Sequence, residues 1–125
     1  MSSERCERAV DALMSESMPI VLDSVVRANS LDLSDEHDTC GARAKGILAA
    51  LRQPYIDALC VVMYTGRDEF VDGHPYDDLE VDTQFREWWD YLCMDGEQFA
   101  REQIGEKAPL GRYLRRGAYM FRVML

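Results

Sequence analysis

Oily side chains in this chain recur every three or four positions over almost its whole length, and no stretch alternates apolar and polar residues as a half-buried strand would. Such spacing gathers each apolar set on one face of a helix, and those faces must be hidden against one another. The clearest set is Phe85, Trp88, Trp89, Leu92, Cys93, Gly96 and Phe99, which predicts a long helix capped at Asp82 or Thr83 and ended by Gly105. Leu110, Tyr113, Leu114, Gly117, Met120 and Phe121 predict a last helix opened by Pro109.

Earlier segments follow the same rule. Ser2 or Ser3 caps a first helix to about Ser15, with Cys6, Val10, Leu13 and Met14 on its apolar side. Ser17-Met18-Pro19 begins a second, over Ile20 to Ala28, and Asn29 suits its end. Ile47, Leu48 and Leu51 mark a third from Ala42 to Arg52. Pro54 opens a fourth through Ile56, Leu59, Cys60 and Met63, with Gly66 as its stop. The expectation is an all-α, compact bundle of five to six short helices with one long acidic loop, forming a single domain over residues 1–125.

With 125 residues, 47% of them hydrophobic, the chain has enough apolar surface for a core that needs no staples. The four cysteines, Cys6, Cys40, Cys60 and Cys93, form no CxxC pair and read as thiols of a reducing compartment. The opening MSSERCERAV has no apolar signal core, and the longest apolar run, Ala58 to Tyr64, is too short to cross a bilayer. A cytoplasmic location without membrane contact is expected.

Charge is unevenly placed. The net charge is −9, yet residues 1–106 carry 9 basic and 23 acidic groups, while residues 107–125 carry five basic groups and no acid. A surface so acidic repels phosphate backbones and anionic membranes, so no direct nucleic-acid contact is expected, and a basic protein partner suits it better. The exception is GRYLRRGAYMFR, where Arg112, Arg115 and Arg116 stand at i, i+3, i+4. These arginines snorkel into solvent from a helix whose other side is core and pair with acids of the fifth helix, or form a nucleic-acid patch set against the acidic remainder, or meet the acidic side of another copy, which makes a homo-oligomer a candidate.

The segment from Asp68 to Asp82, DEFVDGHPYDDLEVD, holds seven acids and one of two histidines. A calcium loop starting at Asp68 would place Gly73 correctly at the sharp turn, but its third position is Phe70 and its twelfth Leu79, where oxygen ligands are required. A transition-metal set of His74 with Asp72, Asp77 and Asp78, or of His37 with Asp35 and Asp38, matches no recognised ligand spacing. No cofactor and no metal are expected, and the segment reads as a solvated connector. GxSxG, P-loop and GxGxxG motifs are absent, and no cysteine has an evident base, so the chain reads as no enzyme. Arg67 follows the expected stop at Gly66, where it caps the last carbonyls or meets an anionic group, with Asp68 beside it. Trp88 and Trp89 point about 100° apart on a helix, so one anchors the core and the other sits at its edge, a position suited to an interface.

The stretches ILAALRQPYIDALCVVMYTGRDEF, REWWDYLCMDGEQFAREQIG and EKAPLGRYLRRGAYM resemble a family of small, mostly proteobacterial proteins known only as a domain of unknown function. The shared pattern is Gly66-Arg67-Asp68, a Trp-bearing helix at Trp88 or Trp89, and Pro109 opening a helix with Tyr113-Leu114. It spans about residues 18 to 120; MPIVLDSVVRAN fits its opening helix less specifically. A second glycine after Arg67 is missing, and the Phe70 to Val81 insertion is longer than the pattern's. The resemblance implies a small helical fold and transfers no catalytic residue.

Together these readings predict a non-enzymatic helical interaction domain, able to self-associate, with Arg67, Asp68, Asp72, His74, Asp77, Asp78, Trp88, Trp89, Arg112, Arg115 and Arg116 as its candidate contact residues. The alternative is an acidic inhibitor of the phage type, whose carboxylates imitate nucleic acid and block a basic groove.

Overall fold

In the computed structural model, residues 3–33, 42–95, 99–106 and 109–123 are described. Among them are seven helices and no strand: α1 (Glu4–Leu13), α2 (Met18–Leu33), α3 (Ala42–Ala50), α4 (Gln53–Asp68), α5 (Val81–Tyr91), α6 (Phe99–Glu106) and α7 (Leu110–Met120). The fold is all-helical, with one or two more elements than the apolar spacing predicts.

α4 is the axis of the molecule. Every residue from Ile56 to Gly66 is buried, and the helix packs against α1, α5, α6 and α7. A helix apolar all round has no face for water, so it takes the centre and its neighbours cover it. α2 closes the other side, lying on α3 and α7. The core so formed holds Trp89, Phe85, Met18, Leu22, Leu59 and Leu114 with almost no exposure, each worth about 1.5–3 kcal/mol on leaving water.

Two polar side chains lie inside α4, and both are satisfied. Thr65 Oγ1 donates to the Val61 carbonyl at 2.9 Å. The Asp57 carboxylate accepts from Arg5 Nε and Nη2, each at 2.8 Å, and from Gln53 Nε2 at 2.8 Å. This two-pronged pair ties α1 to α4 and holds the Arg5 guanidinium above its usual range, chiefly through the bond to Asp57.

Gly66 does not stop α4. The helix runs on to Asp68, and Gly66 marks the point where its backbone touches that of α7. A Cβ at Gly66 would overlap the Tyr113 carbonyl oxygen and sit 2.6 Å from Gly117 N. One at Gly117 would overlap the Val62 carbonyl oxygen and lie 2.8 Å from Val62 Cγ1. The two glycines let the helices cross with no side chain between them.

Most helix starts lie where the sequence puts them, but α5 begins at Val81 with Glu80 at its N-cap, so neither Asp82 nor Thr83 caps it. Ser3 Oγ accepts from Cys6 N at 3.0 Å at the head of α1, Pro54 stands in the first turn of α4, and Pro109 precedes α7. Helix ends do not. α2 continues past Ala28 to Leu33, and Asn29 is buried, accepting from Gly111 N at 2.8 Å as a bridge to α7. Met14 is exposed, with Ala9 in the core in its place. The long helix expected from Asp82 to Gly105 is divided into α5 and α6. α5 stops because Cys93 takes a left-handed backbone (φ 55°), with Cys93 N bonded to the Asp90 carbonyl and Met94 N to that of Trp89.

Residues 69–80, between α4 and α5, lean on α7. Tyr76 N donates to the Met120 carbonyl at 3.0 Å, Gly73 N to Tyr119 Oη at 2.7 Å, and Arg122 Nε to the Tyr76 carbonyl. Phe70 meets the Tyr119 ring edge-on, and Tyr76 meets Phe121.

Candidate functional site

α5 has two working faces. Val81, Phe85 and Trp89 are buried, the last at 1% exposure. Gln84, Glu87, Trp88 and Tyr91 stand at i, i+3, i+4, i+7 on a second face, looking away from that core toward the end of α4. There they meet Asp68 and Glu69, and the six residues line an open cleft of about 430 Å³.

Its aromatic wall is held in place. Glu69 Oε2 accepts from Trp88 Nε1 and from Tyr76 Oη, both at 2.8 Å, and Trp88 Nε1 also lies 3.2 Å from Tyr76 Oη. Burial, reinforced by the Glu69 carboxylate beside it, pushes the Tyr76 hydroxyl well above the usual phenol range. Tyr76 therefore stays a donor at any physiological pH. Tyr91, 77% exposed, meets the Trp88 ring edge-to-face at 5.6 Å and 88°. The result is an aromatic corner flanked by Asp68, Glu69 and Glu87. Negative ring faces and carboxylates together attract an organic cation.

The expected contact residues divide into groups. Asp68 and Trp88 belong to the cleft. Arg67 is exposed beside it, its Nε 3.0 Å from Asp68 Oδ1 and its guanidinium 5.4 Å from the centre of the Tyr64 ring, so it neutralises one flank. Asp72, His74, Asp77 and Asp78 are exposed and lie outside the lining of this cleft; Arg122 Nε is 3.8 Å from Asp78 Oδ1. Among the described residues no three His, Cys, Asp or Glu side chains gather as ligands for a metal. The set of His37, Asp35 and Asp38 lies outside the described residues, as does Cys40. Trp89 is a core anchor, so its expected place at a contact surface is withdrawn. Its ring lies under Arg5 at 5.8 Å, and its Nε1 has no hydrogen-bond partner.

Arg112, Arg115 and Arg116 share a second hollow of about 350 Å³, between α7 and α2. Sequence reasoning missed Glu69, Gln84, Glu87 and Tyr91. The signal was present: reading α5 at helical spacing from Gln84 rather than Phe85 picks out three of them and Trp88.

Cys6 and Cys60 are buried free thiols, and Cys93 is an exposed one. Burial pushes the Cys6 thiol up to about 11, which leaves it protonated at neutral pH. No described helix is long and apolar enough to cross a membrane. No family model, no curated protein and no solved structure matches this chain.

Proposed function

We propose that this chain is a non-enzymatic protein-interaction domain whose acid-and-aromatic cleft receives a cationic side chain from a basic segment of a partner protein. The observation that carries this reading is the cleft itself, where Trp88 is fixed by Glu69 and Tyr76 while Tyr91 stands open to water. An exposed tyrosine beside an anchored tryptophan is the composition of an interface anchor. Three carboxylates at its rim add steering toward positive partners. The resemblance to the helical family of unknown function fits such a role and supplies no chemistry. The cleft contains no nucleophile paired with a base, and His74 lies outside it.

Trp88 gives a direct readout, since Trp89 is sealed in the core. Titrating the protein with a hexa-arginine peptide should quench the fluorescence of the half-buried Trp88 saturably, and hexa-glutamate should not. Replacing Asp68→Asn together with Glu87→Gln should weaken the peptide about tenfold, two rim ion pairs' worth. Raising the salt should weaken it further. A peptide response unchanged by the double substitution would overturn the reading.

A further inference from the structure

The opening turns of α7 gather arginines that lack the carboxylate partner six others have. Arg5, Arg8, Arg27, Arg67, Arg86 and Arg122 each pair with a carboxylate. Arg112 and Arg115 have no carboxylate partner among the described residues, and Arg116 rests on the Phe70 ring, 5.2 Å from its centre. In a chain of net charge −9, three guanidinium groups are gathered in one place without compensation. They also follow directly on the start of α7, which carries no acid in its first turn, so that the helix's own partial positive charge adds to theirs. Local choices that raise the energy of the empty protein mark a place where something else is bound.

The surroundings suit an anion. Arg112, Arg115 and Arg116 line a hollow of about 350 Å³ with Asn29 and Ser30 of α2 and Gly111 of α7. Among the described residues no carboxylate borders it. The backbone there is fixed, because Gly111 N donates to the buried Asn29 side chain at 2.8 Å. Guanidinium forks match the oxygen spacing of a phosphate and bind it by paired hydrogen bonds, and the Ser30 hydroxyl is a further donor.

We propose that this hollow is a binding site for the phosphate group of a small phosphorylated molecule. The compact anion is favoured over nucleic acid by the rest of the surface. Residues 1–106 carry fourteen more acids than bases, and an extended polyanion would have to lie against them.

The test is amide NMR of the whole chain, titrated separately with inorganic phosphate, ribose 5-phosphate, succinate and a short DNA duplex. Saturable shifts at Gly111, Ser30 and the Asn29 side-chain amide are expected with phosphate below about 10 mM, tighter with the monoester. Arg112→Gln with Arg115→Gln should weaken binding at least about tenfold, while Arg8→Gln with Arg27→Gln should not change it. Without ligand, the Arg112→Gln, Arg115→Gln protein should melt no lower than the parent, which shows that it folds and that the arginines are not there for stability. Absence of saturable shifts, equal loss in the Arg8, Arg27 control, or tighter binding of succinate or of the duplex would each overturn the proposal.

Discussion

Asp57 shows what a single residue can conceal. Its side chain is 1% exposed and is held by Arg5 and Gln53, yet in the sequence it is one acid among 23. Nothing local distinguishes it, because Arg5 lies 52 positions away and the pair exists only once α1 docks on α4. Removing Arg5 strands the buried Asp57 charge away from water, so Arg5→Ala should lower stability by about 3 kcal/mol, read as a shift of the urea midpoint at unchanged slope. The tryptophans were half legible. Their angular separation follows from helix geometry alone, but which of them faces inward depends on how Val81 and Phe85 seat α5 in the core. The outward members of the cleft, Glu87 and Tyr91 above all, look like ordinary surface residues until the end of α4 is brought opposite them.

At the scale of the element, most beginnings were readable and most endings were not. A start is announced by its own chemistry, as at Ser3, Pro54 and Pro109. An ending is usually announced by glycine, and two helices here end on a non-glycine residue in the left-handed conformation. Cys93 and Arg122 both adopt the left-handed conformation, at φ 55° and 60°, and in each case the two closing amides bond back to the last turn. α5 and α6 therefore looked continuous, while the glycine that seemed to stop α4 serves a crossing instead. A side chain in that conformation costs about 1 kcal/mol or more. Cys93→Gly should accordingly stabilise the protein by about 1 kcal/mol, visible in the same urea titration. A loss would show that the Cys93 side chain itself contributes to the join.

For the molecule as a whole, the all-helical class and the segregation of charge toward the last helix were legible, since both are sums over many residues. The central position of α4 was not, for an apolar run of that length suits a strand or a helix equally well. The junction of α4 with α7 depends on two glycines that meet only in the folded state. Gly117→Ala should cost about 3 kcal/mol or more, because the obstacle is the rigid Val62 backbone. Gly46→Ala, a helical position with nothing within 4 Å of the added methyl, should gain about 0.5–1 kcal/mol. The contrast separates the effect of crossing from the effect of helix propensity.

Trp88 and Trp89 are consecutive, and that adjacency binds recognition to folding. Each residue advances a helix by about 100°, so a one-residue insertion between Val81 and Phe85 would carry one indole out of the interior and the other into it. The cleft's shape is inherited from the seating of α5 and cannot drift on its own. Any lineage retuning its preference for a partner is left with Gln84, Glu87 and Tyr91 as the freely adjustable letters.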